Sequence, residues 1–402
     1  MHRSIKAAAL VLIAGISGGC GRTVGQTSES AADSNAVTEA TTVMQTTIPP
    51  AAEPVAEPPL SEAEKLLQDL TLHERVCQMF MVTPEQLTSY SVVTYVDDEV
   101  RGGFEELPVG GIVLFAKNLE TTDQTRQLLA DFQSLSRTGL FTAVDEEGGT
   151  IARAAQRLGT TSFYGMRYYG DLGDYDTAVG IGRTIGADIG GLGFNVDFAP
   201  VADVDISCAN ELGSRIFSSD PYVVASMASG VVSGLHESGV CATLKHFPGL
   251  GAEDGNTHYD SSVTLYRSLD ELRETELIPF AEGIESGADF VMVGHQTVTG
   301  LGDGLPCDLS YAAVTELLRG ELGFEGLVIT DSQQMNTISR VYNSGEAAVM
   351  SIQAGVDIVL MPQDIGAAVE AVEEAVQNGD IAQKRIDESV LRILEKKHEL
   401  AS

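Results

Sequence analysis

Short apolar runs recur along this chain, and amphipathic stretches rich in Ala, Glu and Leu separate most of them. Strands buried on both faces form near-continuous apolar runs, and helices between them cover a parallel sheet. About eight such units predict an α/β fold, a single TIM-type (β/α)8 barrel. The first run fits a helix end as well as a strand, so we expect an irregular first unit. The runs are 79–82, 109–116, 140–144, 194–199, 242–244, 290–293, 327–329 and 356–361.

Polar side chains stand at or just past the ends of these runs. In a TIM barrel the carboxyl ends of the strands form one face, where active sites are built. An open doubly wound sheet would also bind ligands at strand ends, but no G-x-G-x-x-G fingerprint follows the first strand. The pattern therefore favours a barrel with its site on that face. The residues are Lys117, Asn118, Asp145, Glu146, Glu147, Asp197, Asp203, Lys245, His246, His295 and Asp331.

Helix signals accompany the strands. Residues 71–74 (TLHE) form a capping-box pattern, which predicts a helix that carries Val76, Met79 and Phe80. The amphipathic stretch 122–135 is a second predicted helix.

The amino terminus carries a targeting signal. A basic start (residues 2–6) precedes an apolar run (7–16) and the small residues before Cys20, which is typical of a secretory signal peptide. The small residues next to Cys20 favour a lipoprotein signal over 1–19, after which Cys20 is acylated. Ordinary secretion with cleavage nearby is the alternative. A lipid anchor would hold the exported protein at the outer face of the cell membrane.

Residues 20–60 are predicted to comprise the acylated cysteine and a disordered tether. From 21 to 60 there is no aromatic residue, and five of the 13 prolines fall here. Such a segment buries too little apolar surface to offset the entropy of ordering. The remainder, 61–402, has the length of one catalytic barrel, and no later apolar run is long enough to span a bilayer.

Charge and cysteine usage exclude several classes of partner. The formal net charge of −34 argues against binding to nucleic acid or anionic lipid, so membrane contact would come from the anchor alone. Besides Cys20, the cysteines are Cys77, Cys208, Cys241 and Cys307, without the spacing of a zinc site. The sequence implies neither a metal nor an organic cofactor, and it carries no signal for an oligomeric state.

Three segments gather residues suited to chemistry. Residues 242–260 place Lys245, His246 and His258 around a glycine-bearing turn, where they can bind hydroxyls and move protons. Asp331 ends the strand-like segment 326–331 and is either a nucleophile or the N-cap of the following helix.

The third segment is 145–153 (DEEGGTIAR), where Asp145 can accept hydrogen bonds from two hydroxyl groups. Three acids on a solvated loop are the alternative interpretation, although such a loop would not require the paired glycines Gly148 and Gly149.

Four segments resemble motifs of bacterial family 3 glycoside hydrolases, in their β-N-acetylhexosaminidase branch. Residues 245–258 resemble K-H-F-P-G-H/L-G...D-S/T-H, and 145–153 resemble D-[QE]-E-G-G-x-[VI]-x-R. Residues 326–335 resemble G-x-V-x-[ST]-D-[DS]-x-x-M, and 195–217 resemble a further block. The motifs follow the family order.

The resemblance implies a role for each matching residue. Asp331 would be the catalytic nucleophile and His258 the general acid/base. The residues that would bind the sugar are Asp145, Arg215, Lys245 and His246. Asn256 stands where the branch has an aspartate that pairs with the histidine. Its amide oxygen can accept a hydrogen bond from the ring, but it cannot stabilise imidazolium with a full charge.

The predicted function is retaining hydrolysis of terminal β-linked N-acetylglucosamine from short glycans, such as cell-wall fragments. A β-glucosidase is disfavoured, because those relatives take a glutamate acid/base from a later domain. A phosphorylase is another alternative, because a histidine does not repel incoming phosphate. A non-catalytic sugar-binding lipoprotein is the third. The absence of Trp favours a pocket for one sugar of a small saccharide.

Overall fold

The computed structural model describes residues 60–207, 210–252, 255–257 and 259–401. The predicted signal peptide, Cys20, and all of the tether except Leu60 lie outside this part, as does His258. Within the described residues, none of the helices is both long and apolar enough to cross a membrane.

The centre of the fold is a ring of parallel strands. The strands of the described chain are β1 Phe80–Val82, β2 Gly111–Val113, β3 Phe141–Val144, β4 Glu146–Gly148, β5 Ile151–Ala152, β6 Val196–Asp197, β7 Cys241–Phe247, β8 Thr264–Leu265, β9 Phe290–Val293, β10 Thr297–Val298, β11 Leu327–Thr330 and β12 Val359–Leu360. Eight of them form one sheet in the order β11-β9-β7-β6-β3-β2-β1-β12. A parallel bridge between Ile329 and Ile358 joins its two edges. The predicted (β/α)8 barrel is confirmed.

Helices surround this ring. The α-helices of the described chain are α1 Glu62–Asp69, α2 Leu72–Gln78, α3 Asp98–Glu106, α4 Thr122–Leu135, α5 Arg153–Leu158, α6 Met166–Leu172, α7 Tyr175–Gly190, α8 Pro221–Glu237, α9 Leu269–Glu274, α10 Leu277–Glu285, α11 Asn336–Ser339, α12 Ser344–Ala354, α13 Ile365–Asn378 and α14 Gln383–Leu400. A π-helix spans Ala312–Glu321. The strands and the inner helix faces share one apolar core.

The first unit follows the prediction only in part. Thr71 and Glu74 form the expected capping box at the start of α2, with each backbone N–H bonded to the other side chain. The helix ends at Gln78, however, so Met79 and Phe80 do not lie on it as predicted. These two side chains are fully buried, and the run continues as β1 between β12 and β2. Pairing on both sides explains why the strand replaces the last helical turn.

Strand β7 is longer than its apolar run. The sequence predicts a strand over 242–244, followed by Lys245 and His246, but β7 continues to Phe247 and all seven of its residues are buried. The backbone of Lys245 pairs with Val201, and its carbonyl accepts a hydrogen bond from Ala202 N at 2.7 Å. Burial of the Lys245 ammonium is tolerable because the carboxylates of Asp145 and Glu147 neutralise it.

The described cysteines take no part in disulfides. Cys77, Cys241 and Cys307 are free and buried, as expected for isolated small apolar residues. Burial raises the pKa of each thiol.

Candidate active site

The carboxyl ends of the barrel strands surround a cavity of about 360 Å³. Five of the residues predicted from the sequence line it: Asp145, Arg215, Lys245, His246 and Asp331. The structure thus brings together side chains that lie up to 186 positions apart in the sequence, counting from 145 to 331. Asn256 is described but does not line the cavity, whereas its neighbour Thr257 does.

Glu147 is the centre of a buried ion cluster on one wall. Its carboxylate accepts two hydrogen bonds from Arg215, both at 2.8 Å, through Nε and a terminal guanidinium nitrogen. Lys245 Nζ lies 2.6 Å from Glu147 and 2.8 Å from Asp145. Only 2% of the Glu147 side chain and 3% of the Lys245 side chain are exposed. Lys245 therefore joins the two carboxylates and fixes their positions at the cavity.

The pKa values of this cluster keep it charged. Burial by itself would raise the pKa of Glu147, but the charges of Lys245 and Arg215 lower it to about 2. Burial would lower the pKa of Lys245, and the adjacent Asp145 and Glu147 reverse that effect and raise it. Glu147 and Lys245 are thus both ionised at neutral pH.

A tight hairpin turns Glu147 into the barrel. Gly148 and Gly149 have φ angles of 89° and 60°, a region that favours glycine, and they reverse the chain between β4 and β5. A side chain at Gly149 would come within 2.8 Å of the Gly165 backbone. The interpretation of 145–153 as a solvated acidic loop is therefore wrong, since Glu146 and Glu147 are both buried.

His246 is oriented by Asp203. Its Nδ1 donates to one carboxylate oxygen of Asp203 at 2.8 Å, and its backbone N–H donates to the same oxygen at 3.1 Å. The other oxygen accepts a hydrogen bond from Leu250 N. Because Nδ1 is engaged, the remaining ring nitrogen, Nε2, is the one that can face a ligand.

Asp331 lies at the end of β11 and is half-buried in the cavity wall. Its Oδ1 accepts a hydrogen bond from Ser332 N at 2.7 Å. The N-cap alternative is wrong, because the next helix, α11, begins only at Asn336. Burial would raise the pKa of Asp331, but the charges of His295 and His246 lower it below its usual value. The carboxylate is therefore ionised.

His295 lies behind Asp331 and does not line the cavity. It is fully buried, its Nε2 donates to the Ser332 carbonyl at 2.9 Å, and its Nδ1 is 3.0 Å from Asp308. This second distance is that of an ion pair, although the two atoms are not aligned for a hydrogen bond. Burial opposes protonation, but Asp308 and Asp331 raise the pKa of His295 to about 9.

Asp197 has a structural position. It is fully buried, accepts a hydrogen bond from Glu146 N at 2.9 Å, and does not line the cavity. Burial raises its pKa well above the usual value.

Three further charged residues of the site were not assigned from the sequence. Glu147 and Arg153 belong to the quoted 145–153 motif, and Arg153 lines the cavity with its guanidinium 3.8 Å from Asp145. Glu211 also lines the cavity, and its carboxylate accepts hydrogen bonds from Thr257. The motif was a usable signal for the first two residues, whereas nothing local marks Glu211.

The described residues contain no group of His, Cys, Asp and Glu side chains arranged to hold a metal ion.

Comparison with known proteins identifies the family. Residues 71–396 match the model of the glycosyl hydrolase family 3 N terminal domain. The chain belongs to glycosyl hydrolase family 3. The predicted family is confirmed.

Two relatives are similar to this chain at about one third identity. "Beta-hexosaminidase A" of Pseudoalteromonas piscicida is 33% identical over 344 residues, which are 77% of this chain and 56% of that protein. A "Beta-hexosaminidase" of Nitrosomonas eutropha is 34% identical over 268 residues, which are 65% of this chain and 76% of the relative. This family 3 chain thus spans little more than half the length of the first of them.

A solved structure is similar over the whole barrel. The family 3 β-N-acetylglucosaminidase from Paenibacillus sp. str. FPU-7 superposes with a TM-score of 0.78 at 34% identity, covering 83% of this chain and 63% of that one.

Proposed function

We propose that this protein hydrolyses terminal β-linked N-acetylglucosamine from short glycans, with retention of configuration. The observation that carries the proposal is Asp331, an ionised carboxylate in the wall of a cavity that it shares with Asp145, Arg215, Lys245 and His246. The relatives named as β-hexosaminidases support the choice of sugar.

In the first step, Asp331 attacks the anomeric carbon and forms a glycosyl ester, while a general acid protonates the departing oxygen. A nucleophile must be deprotonated before it attacks, and the positive charge of His295 behind Asp331 keeps it so. We assign His258 as the acid, since an imidazole titrates near neutrality. In the second step it takes a proton from the water that hydrolyses the ester.

The Glu147 cluster supplies the sugar-binding groups in this mechanism. Lys245 and Arg215 are held by Glu147, and Asp145 is held by Lys245, so these groups meet the sugar already oriented. Preorganised charged groups strengthen hydrogen bonds to hydroxyls and lose little entropy when the ligand binds.

The proposal is tested with chromogenic β-N-acetylglucosaminide and β-glucoside, each with and without phosphate. We expect the β-N-acetylglucosaminide to release its chromophore whether or not phosphate is present. The β-glucoside should release little. Dependence on phosphate would identify a phosphorylase, preference for glucoside would identify a β-glucosidase, and binding of N-acetylglucosamine without turnover would identify a sugar-binding protein.

Asp331→Asn tests the nucleophile. It should reduce turnover by about three or more powers of ten while the protein remains folded, because the carboxylate is lost without change of volume. Proton NMR of the early product should show the β-anomer. An inverted product would contradict the mechanism.

We also propose that Cys20 is acylated and holds the enzyme at the outer face of the membrane, near cell-wall fragments. The basis is the sequence alone. Wild-type protein should enter the detergent phase on partitioning, and Cys20→Ser should move it to the aqueous phase. Wild-type protein found only in the aqueous phase would contradict the proposal of a lipid anchor.

A further inference from the structure

His295 fixes the backbone just past Asp331. It follows β9, and its Nε2 donates to the carbonyl of Ser332, the residue after Asp331, at 2.9 Å. The backbone N–H of Asp331 donates to the carbonyl of Val293 at 2.8 Å. The segment that carries the proposed nucleophile is thus attached to residues 293–295 at two points.

Asp308 lies against the other nitrogen of the same imidazole. It belongs to a short 3₁₀-helix, Cys307–Leu309, and its side chain is fully buried, like that of His295. Its Oδ1 is 3.0 Å from Nδ1 of His295. Its Oδ2 accepts a hydrogen bond from Gln333 Nε2 at 3.4 Å. Asp308 therefore contacts both the histidine and the chain segment just past Asp331.

This arrangement favours the protonated form of His295. The carbonyl of Ser332 can only accept a hydrogen bond, so Nε2 must carry a proton. In a neutral ring, Nδ1 would then present its lone pair to a carboxylate oxygen 3.0 Å away, which is repulsive, whereas a proton on Nδ1 is attracted. Burial lowers the pKa of His295, but Asp308 and, to a smaller extent, Asp331 raise it to about 9.

The other titratable groups around this pair do not neutralise it. Cys307 and Tyr342 face Asp308, and burial raises the pKa of each, so both are uncharged at neutral pH. His246 and Lys245 act on the nucleophile from the cavity wall, but each already has a carboxylate partner. The negative charge of Asp308 is therefore directed at His295.

Asp331 has opposite roles in the two steps of the proposed reaction. In the first step it gives an electron pair to the anomeric carbon as the bond to the departing oxygen breaks. In the second step water attacks that carbon, the bond to the Asp331 oxygen breaks with its electron pair returning to the carboxylate, and the general base takes the proton of the water. Between the steps, the ester is neutral.

The neutral ester changes the surroundings of His295. One of the two negative charges that favour its protonation is then gone, and a buried imidazolium without a counter-charge loses its proton. Asp308 keeps its charge throughout, because it takes no part in the bond changes. It can therefore hold the proton on His295 while the ester exists.

We infer that Asp308 is a positioning residue that keeps His295 positively charged in the glycosyl-enzyme, so that Asp331 leaves readily in the second step. A positive charge at the place where the carboxylate charge reappears lowers the barrier to breaking the ester. Neither Asp308 nor His295 lines the cavity, so both act through the Asp331 segment. The inference rests on the proposed hydrolysis with Asp331 as the nucleophile.

The first test is the pKa of His295, measured by NMR with labelled histidine and assigned with His295→Gln. In the wild type we expect a pKa of about 9. Asp308→Asn removes the charge without change of volume and should lower this pKa by about two units. A wild-type pKa near the ordinary 6.5, or an unchanged pKa in Asp308→Asn, would overturn the inference. The wild-type measurement decides even where the variant fails to fold.

Asp289→Asn is the matched control. Asp289 is also a buried carboxylate paired with a histidine, since its Oδ2 is 2.7 Å from His236 Nε2. It precedes β9, whereas His295 follows that strand, so the two pairs lie at opposite ends of the barrel. Asp289→Asn should leave the titration of His295 unchanged. An equal shift in both variants would mean that Asp308 has no specific effect, which would contradict the inference.

The second test uses dinitrophenyl β-N-acetylglucosaminide, whose leaving group needs no proton, so that hydrolysis of the glycosyl-enzyme limits turnover. At about pH 8, Asp308→Asn should lower kcat about tenfold relative to the wild type, because a histidine with a pKa about two units lower is then mostly neutral. KM should fall with kcat, and a burst of dinitrophenol should grow, because the glycosyl-enzyme accumulates.

The pH dependence separates this role from a structural one. At about pH 6, His295 should be protonated in both proteins, so kcat of Asp308→Asn should approach that of the wild type. Asp289→Asn should show no such difference between the two pH values. A loss of kcat in Asp308→Asn that is equal at both pH values, without a burst, would identify a structural contact and overturn the inference.

The two proposals fail in different ways. Wild-type protein that is inert on β-N-acetylglucosaminides would reject the hydrolase, and with it the second step, even if the titration shows that Asp308 keeps His295 protonated. An active enzyme in which Asp308→Asn changes neither the titration nor the pH dependence of kcat would reject the inference alone.

Discussion

The two walls of the cavity are built differently. On one wall, Glu147 binds Arg215 and Lys245 through short, buried ion pairs. Lys245 lies on barrel strand β7, Glu147 on the hairpin strand β4, and Arg215 in the connection between β6 and α8. On the other wall, Thr257 is attached by three hydrogen bonds, two to Glu211 and one from Thr337. The first wall is thus held by buried ion pairs, whereas the segment at Thr257 in the second wall is held by a few hydrogen bonds.

This difference separates stability from turnover. A group in the buried cluster cannot be changed without leaving a charge unpaired, so its loss affects the whole barrel. The contacts of Thr257 are few and individually weak, so their loss changes where the loop lies while the barrel stays folded. Substitutions on the two walls should therefore give different phenotypes.

The largest effect is expected at Glu147. Glu147→Gln leaves Lys245 and Arg215 without their shared carboxylate, and we expect the free energy of unfolding to fall by about 3–5 kcal/mol. Urea denaturation measures this, with exposed Glu120→Gln as the control that should change little. A loss below about 1 kcal/mol would mean that the cluster is not integral to the core.

The unfolding free energy of the same variant should also depend on pH differently from that of the wild type. Because the pKa of Glu147 is lowered from 4.5 to about 2, its stabilising contribution is present above pH 4.5 and is lost as the pH falls towards 2. Glu147→Gln should flatten the wild-type loss of stability over this interval.

An intermediate effect is expected at His295, which lies behind Asp331 within the core. Its pKa is raised from 6.5 to about 9, so its contribution is complete below pH 6.5 and is lost as the pH rises through 9. The difference in unfolding free energy between wild type and His295→Gln should shrink by on the order of 3 kcal/mol between pH 6 and pH 10. A difference independent of pH would contradict a charged His295.

The smallest effect on stability is expected at Thr337. Thr337→Val removes the hydrogen bond to the Thr257 carbonyl and should lower the unfolding free energy by about 1 kcal/mol. It should nevertheless lower kcat for phenyl β-N-acetylglucosaminide severalfold. Thr299→Val, which removes hydrogen bonds to Leu265 and Arg267 outside the cavity, is the control. An equal loss of kcat in Thr337→Val and Thr299→Val would contradict the proposed difference between the two walls.

Sequence reasoning located the first wall better than the second. Asp145, Lys245 and Asp331 follow apolar runs, and the geometry of parallel strands requires that such residues meet. The central role of Glu147 could not be predicted, because it depends on the hairpin that turns one of three successive acids inward. Glu211 was missed because its partner Thr257 is 46 positions away, and no periodic pattern connects two loops.

The predicted limits of helices and strands were wrong where strand pairing or ion pairs outweigh the local sequence pattern. Met79 and Phe80 continue a helical pattern, but the helix ends at Gln78 and Phe80 begins β1, which pairs with β12 and β2. Lys245 ends an apolar run but stays within β7, because Asp145 and Glu147 neutralise it. Both outcomes depend on residues distant in sequence.

The buried thiols of Cys77, Cys241 and Cys307 determine how the barrel responds to oxidising and reducing conditions. Oxidants and disulfide-exchange catalysts react with exposed thiolates, and these three sulfurs are both inaccessible and held in the protonated form by burial. While the barrel stays folded, these three side chains should therefore remain thiols in either a reducing or an oxidising medium.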